Sequence, residues 1–256
     1  MRRFYIRPEA LNQKIGLISG SDAKHVVKVL RLKERDRLLL FDGNGFDYEA
    51  EIVRLSPEKA EVNILRKFPS KSEPVVHITV AQALLKDRKM DDIIRQITEL
   101  GIFRWIPFPA HRSVSRLDSL RLSSRIERWE RIAKESLKQC GRSKIPAIIP
   151  VDSFEAMLSL SENSEMKIIF WENETAALTD FKALHERPVQ QIFIGIGPEG
   201  GFTEEEIERA AACGFQTLSL GPRILKSDTA TVAACTLMQY LYGDLGEKLL
   251  DKEHGV

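Results

Sequence analysis

Cysteine is scarce in this chain of 256 residues: Cys140, Cys213 and Cys235 are scattered, with no paired spacing for zinc or thiol redox chemistry. A reduced protein without a structural metal is the expectation. No apolar run is long enough to span a bilayer, and the opening Met1-Arg-Arg-Phe-Tyr lacks the apolar core of a secretory signal. A cytoplasmic location, with no membrane partner, is expected on that ground. Charge of one sign is missing too, because 38 Lys and Arg against 37 Asp and Glu leave a formal net charge of +1. Overall charge therefore implies no partner, although its distribution does. A hydrophobic content of 43% with 29% charged residues is ordinary for a soluble globular protein, and the length allows one large or two modest domains.

The most informative stretch is Ile192-Phe-Ile-Gly-Ile-Gly-Pro-Glu-Gly-Gly-Phe-Thr-Glu-Glu-Glu206. Residues 190–196 alternate β-branched and aromatic side chains and predict a strand, while Thr203 followed by Glu206 predicts a capping box that opens a helix. The glycine-rich loop is thus a strand-to-helix turn, the place where open α/β sheets bind ligands. Gly195, Gly197, Gly200 and Gly201 leave backbone bare to a ligand. The run from Gly195 to Gly200 also matches the dinucleotide fingerprint G-x-G-x-x-G. A phosphate, however, would meet Glu199, Glu204, Glu205 and Glu206 at the positive end of that helix, and the acidic residue expected further on to hold a ribose is absent. The loop suits a ligand without phosphates, one that carries positive charge.

A second glycine loop, Leu220-Gly-Pro-Arg-Ile-Leu-Lys-Ser-Asp-Thr-Ala230, follows the next predicted strand and leads into a helix over residues 227–242, with Gly243 as its stop. That helix is apolar almost all round, so it is either a core element or a contact with another subunit.

Residues 1–72 predict a small strand-rich domain. Residues 22–30 read as a short helix and 37–41, 46–55 and 60–66 as strands. Basic residues cluster here: Arg2, Arg3, Arg7, Lys24, Lys28, Arg31, Lys33, Arg35 and Arg37. They form either a phosphate-gripping surface, with Phe4, Tyr5 and His25 able to stack on bases, or a solvated charged face. The polar, proline-bracketed stretch 68–74 is the expected linker. Beyond it, strands at 75–84 and 102–108 flank a helix over 91–100 closed by Gly101, which predicts a mostly parallel sheet in a domain of residues 73–256. Residues 116–142 form a long basic helical segment whose acids, Glu127, Glu130 and Glu135, neutralise part of it. A further strand at 167–171 ends in Trp171-Glu-Asn-Glu174, and the tail 244–256 is charged and expected to fray.

Gly197-Pro-Glu-Gly-Gly-Phe-Thr203, Leu220-Gly-Pro-Arg-Ile-Leu225 and Thr229-Ala230 together resemble the bacterial ribosomal RNA uridine-N3 methyltransferases of the SPOUT class. His25-Val-Val-Lys-Val-Leu-Arg-Leu-Lys33 is similar to that family's N-terminal motif, and Lys86, Lys89, residues 98–101 and residues 128–142 also match. The resemblance covers residues 2–242. It implies a PUA-like RNA-binding β-barrel followed by an α/β domain whose chain is threaded into a trefoil knot around S-adenosylmethionine, in a homodimer that acts on ribosomal RNA of the small subunit. It implies cofactor contacts from Trp171, Glu172, Gly195, Gly197, Glu199, Gly200, Gly201, Leu220, Gly221, Ile224 and Leu225, and RNA contacts from Arg2, Arg3, Arg7, His25, Lys28, Arg31, Lys33 and Lys86. Arg223 is the first candidate to stabilise charge on the reacting base and Arg112 the second, with Glu199 or Glu172 as proton acceptor or as partner of the cofactor's positive groups. His111 stands where the family has an acidic residue, and Lys226 and Asp228 where it has Arg and Glu. Three other readings are a SPOUT enzyme acting on transfer RNA, a non-catalytic RNA-binding protein, and an oxidoreductase using the glycine fingerprint.

Overall fold

Alternating apolar residues between 37 and 66 fold into sheet, and Leu38, Leu40, Ala50, Ile52, Ala60 and Val62 all point into one core. The computed structural model describes residues 2–12, 14–86, 88–114, 119–176 and 189–246. Arg116, at the head of the expected basic helix, and the tail beyond residue 246 lie outside the described residues.

The chain divides into two compact units. The first, Met1–Glu73 with Glu127–Pro146, carries strands β1 (Arg3–Tyr5), β2 (Ile15–Ser19), β3 (Arg37–Phe41), β4 (Phe46–Leu55) and β5 (Lys59–Pro69). Their order is β1-β3-β4-β5-β2, with β1 parallel to β3 and the remaining pairs antiparallel. The edge strands β1 and β2 are not paired with each other, so the sheet is an open half-barrel. Helix α1 (Gly20–Lys24) runs on as a π turn, His25–Val29, and sends Ala23 and Val26 into the core beside Phe4 and Ile18. β1 spans only three residues, and in β2 the exposed Ile15 and Leu17 are as apolar as the inward Ile18, so neither shows an alternation that would announce it, and tertiary pairing makes them.

Residues 127–146 join this unit through a buried ionic knot. Glu73 Oε2 accepts from Arg142 Nε and Nη2 at 3.1 and 2.9 Å, while Oε1 accepts from the backbone N–H of Ser143 and Lys144 at 2.6 and 2.8 Å. The basic helix α3 (Ser119–Cys140) is therefore shared in the division, its residues from Glu127 onward grouped with the first unit. Pairs such as Lys134–Glu130 and Lys138–Glu135 neutralise part of its charge, as helical spacing predicts. Cys140 is half-buried.

The second unit, Pro74–Ile126 with Ala147–Val256, is built on six strands: β6 (His77–Ala83), β7 (Arg104–Phe108), β8 (Ala147–Ile148), β9 (Met166–Phe170), β10 (Gln191–Ile196) and β11 (Gln216–Leu218). Their order is β11-β9-β10-β6-β7-β8 and every pair is parallel. Helices α2 (Lys89–Glu99), α4 (Phe154–Ser159), α5 (Glu204–Ala212) and α6 (Ser227–Tyr242) accompany it. The central strands β6 and β10 are buried along nearly their whole length, which is why they read as apolar runs rather than alternating ones. No helix among the described residues is long and apolar enough to cross a membrane.

Gly101 closes α2 with φ +81°, and an added Cβ would lie 2.4 Å from Pro74 Cγ and 2.8 Å from Gln239 Nε2. A Cβ in this left-handed conformation costs about 1–2 kcal/mol, and overpacking against a rigid proline ring adds about 1–3 kcal/mol. Gly101→Ala is thus expected to lower the denaturant midpoint of this unit sharply, without changing its strand content.

Candidate functional site

Because the six strands are parallel, the loops that leave their carboxyl ends gather on one edge. The chain runs from β6 outward to β7 and β8, then returns to place β9, β10 and β11 on the other side, so β6 and β10 flank the point where the winding reverses. Loops after β9, β10 and β11, with the start of α6, enclose a cavity of about 480 Å³.

Trp171, Glu172, Gly197, Gly201, Leu220, Gly221, Arg223, Ile224 and Leu225 all line it. These nine come from three loops spread across residues 171–225, and the sheet brings them together. Phe170, Glu174, Ile196, Ser219, Ser227 and Ala230 also line it, though sequence reasoning passed over them. Gly195, Glu199, Gly200 and Arg112 are not among the lining residues.

The glycines have different reasons to be glycine. An added Cβ at Gly195 would sit 2.9 Å from Ile169 Cγ1, so this residue lets β10 pack on β9. At Gly201, with φ +69°, it would fall onto the Glu172 carboxylate. Among Gly195, Gly197, Gly200, Gly201 and Gly221, only Gly221, with φ +106°, would carry a Cβ that meets no protein atom within 4 Å, leaving bare backbone open at the cavity.

The glycine loop is braced on all sides. Thr203 and Glu206 form the predicted capping box, and Glu206 Oε1 also accepts from His111 N–H at 2.8 Å. Arg112 Nη1 donates to the carbonyls of Gly200 and Phe202 at 2.9 and 3.4 Å. Glu199 pairs with Lys89 at 3.0 Å; partial burial opposes its ionisation, but the hydrogen bond and charge of Lys89 together with backbone N–H donors outweigh it and hold the carboxyl below the usual range. The Glu174 carboxyl is also held low, chiefly by the Thr217 hydroxyl and then by the Ala176 N–H. Glu172 is exposed and makes no hydrogen bond or ion pair among the described residues.

Behind the cavity lies a fully buried polar network. Ser227 Oγ donates to the Gly197 carbonyl and accepts from Gln82 Nε2 at 3.1 Å, and the Thr231 hydroxyl sits between Gln82 Oε1 and the Ser227 carbonyl. The signal was present in the sequence as Gln82 in an apolar strand and Ser227 and Thr231 in an apolar helix. Buried hydroxyls and amides of this kind persist only when paired. Ser227→Ala leaves the Gly197 carbonyl without its donor and is expected to cost about 1–3 kcal/mol in chemical denaturation.

In the first unit, Arg2, Arg7, His25, Lys28, Arg31 and Lys33 are exposed, as is Lys86 in the second. Arg3 is not free: it bridges Asp47 at 3.1 Å and donates to the Arg142 carbonyl and Ser143 Oγ at 2.9 Å. Nor can Phe4 stack on a base, since it is buried in the half-barrel core. Tyr5 is half-covered, packed on Phe41 with Lys134 over its ring. Among the described residues there is no group of three or more His, Cys, Asp or Glu able to hold a metal ion.

A parallel sheet with an acidic, glycine-walled cavity at its switch point, preceded by a basic half-barrel, defines a class. The model for an RNA methyltransferase domain matches residues 71–239, and that for an RNA methyltransferase PUA domain matches residues 18–65. Ribosomal RNA small subunit methyltransferase E of Bacillus subtilis is 31% identical, covering 94% of this chain and 96% of its own, and that of Buchnera aphidicola from Acyrthosiphon pisum is 32% identical over 94% of each. A crystal structure of the same enzyme from Neisseria gonorrhoeae, bound to S-adenosyl methionine, superposes with a TM-score of 0.83 at 33% identity, covering 96% of this chain and 99% of that one. The chain belongs to the ribosomal RNA small subunit methyltransferase E family. The half-barrel is its PUA-like domain and the parallel sheet its methyltransferase domain.

Proposed function

We propose that this chain transfers the methyl group of S-adenosylmethionine to N3 of a uridine in small-subunit ribosomal RNA, on the assembled subunit, as a cytoplasmic homodimer with a knotted C-terminal domain. The observation that carries the reading is the composition of the cavity wall: Glu172 and Glu174 line it against a single cation, Arg223, and Gly221 offers bare backbone. A ligand with sulfonium and ammonium charge and no phosphate fits such a wall, with Phe170, Ile196 and Leu225 as apolar surface for its adenine. When bound, the cofactor supplies an electrophilic methyl group.

The chain's own residues then have two tasks: to hold the two reactants in line and to ease loss of the N3 proton. Arg223 lines the cavity, is exposed, and makes no hydrogen bond or ion pair among the described residues. Its guanidinium is available to stabilise negative charge on the carbonyl oxygens that flank N3. Arg112 has its donors on the Gly200 and Phe202 carbonyls, which makes it a positioning residue for the glycine loop. Of the candidate carboxylates, Glu199 is occupied by Lys89, so Glu172 is the one left to accept the proton or to pair with the cofactor's ammonium. Arg2, Arg7, His25, Lys28, Arg31, Lys33 and Lys86 supply exposed contacts for RNA. The outer face of α6 bears Val232, Leu237 and Tyr240, the last 64% exposed, and the cavity loop that leads into this helix exposes Ile224 to 85%; these apolar positions are the ones offered to a second copy of the chain.

The test offers labelled S-adenosylmethionine with unmodified small ribosomal subunits, free ribosomal RNA or transfer RNA, followed by nucleoside analysis. Label in N3-methyluridine from small subunits is expected. Label only in transfer RNA overturns the target, and absence of both label and cofactor binding overturns the enzyme reading.

A further inference from the structure

The first unit holds a second cavity, of about 530 Å³, lined by Arg2, Asp22, His25, Glu135, Lys138 and Gln139 among others. Its polar groups are only partly used. Lys138 Nζ donates to Asp22 Oδ1 at 2.7 Å and to Glu135 Oε1 at 2.8 Å, which leaves one N–H of the ammonium and the second oxygen of each carboxylate without a partner among the described residues. Burial alone would lower the Lys138 pKa, but the hydrogen bonds to Asp22 and Glu135 raise it, so the ammonium stays charged at neutral pH. His25 is exposed, its ring in an edge contact with that of Phe4 at a centroid distance of 6.3 Å. Arg2 and Gln139 make no side-chain hydrogen bond among the described residues.

A carboxylate beside an ammonium is an array of two acceptors next to a donor. Guanine presents the complement on its Watson–Crick edge: the N1 and N2 hydrogens are adjacent donors and O6 is the neighbouring acceptor. Adenine, cytosine and uracil each place an acceptor where the carboxylate requires a second donor. Unpaired bases in RNA are read in this manner, edge by hydrogen bonds and face by stacking on aromatic or histidine rings.

We propose that this cavity takes an unpaired guanosine of the RNA substrate, with Asp22 and Lys138 reading the base, His25 stacking on it and Arg2 meeting its phosphate. The assignment rests on the reading that the protein acts on RNA and adds a base-specific anchor in the first unit, apart from the methyl-transfer cavity of the second.

The experiment measures equilibrium binding of GMP, AMP, CMP and UMP to the full chain, and of oligouridine strands with and without one central guanosine, with methyl transfer to small subunits followed in parallel. GMP is expected to bind about tenfold tighter than the other three, as one bidentate contact gives, and Asp22→Asn is expected to erase that preference. His25→Ala lies outside the ion pairs, so it keeps the test open should Asp22→Asn fail to fold; it is expected to weaken GMP binding about tenfold through lost stacking. Equal binding of all four nucleotides, or GMP binding unchanged in both variants, overturns the proposal. A guanosine-containing strand that binds no tighter than GMP overturns the RNA source and leaves a free guanine nucleotide as the ligand. Methyl transfer to small subunits together with equal binding of the four nucleotides sinks this inference alone, whereas no transfer to small subunits sinks the reading beneath it.

Discussion

Arg223→Ala is expected to lower kcat for methyl transfer by roughly a hundred- to a thousandfold while leaving affinity for S-adenosylmethionine nearly unchanged. That is the size of effect seen when one preorganised donor to a developing oxyanion is removed, about 2.7–4 kcal/mol. The argument is one of availability. Arg223 sits on the wall of the cavity between Gly221 and Leu225, exposed and without a protein partner among the described residues, so its charge is spent on nothing else. Arg112 provides the contrast within the same assay. Its Nη1 is already held by the Gly200 carbonyl at 2.9 Å, so Arg112→Ala should loosen the glycine loop and raise KM for the cofactor more than it lowers kcat. Loss of cofactor binding together with turnover in Arg223→Ala would make Arg223 a binding residue instead. Arg223→Lys should recover only part of the rate, because an ammonium keeps the charge but not the planar fork.

Glu73→Ala is expected to be the most destabilising of these substitutions, costing about 3–5 kcal/mol in the unfolding of the first unit, the usual penalty for removing one partner of a buried ion pair. At about 2–4 °C per kcal/mol for a chain of this size, the unit's Tm should fall by roughly 6–20 °C. One carboxylate here serves four donors: two nitrogens of Arg142 and the backbone N–H groups of Ser143 and Lys144. The Arg142 side chain is only 5% exposed, so water cannot replace what is lost. Glu73→Gln keeps an acceptor but not the charge and should fall between the two. A calorimetric scan that shows no change in either variant would mean that residues 141–146 hold to the half-barrel by packing alone.

Local chemistry made much of this legible in advance. The α5 capping box, the left-handed stop at Gly101 and the strand Phe46–Leu55 depend on neighbours in sequence, and each stands as the residues predict. The two glycine loops were legible too, because glycine frees and proline fixes backbone geometry wherever they occur, and the acidic residues around the first one argue against a phosphate ligand. The family resemblance rested on those same loops, and the relatives at 31% and 32% identity bear it out.

What the sequence alone determined is therefore the class of the protein, its two kinds of sheet and the glycine loops that wall its cavity, since each of these is written in residues close together along the chain. Which residues share a wall was decided only by the tertiary structure. Parallel pairing of β9, β10 and β11 sets Trp171, Gly201 and Arg223 around one cavity, and the same packing assigns Gly195 to the sheet, Glu199 to Lys89 and Arg112 to the loop carbonyls. The physical reason is that a side chain's role depends on which partners reach it first. Charge and hydrogen-bonding capacity are properties of the residue, but whether a neighbour already consumes them is a property of contacts spanning 88 to 145 residues, such as Arg112 with Gly200 and Gln82 with Ser227.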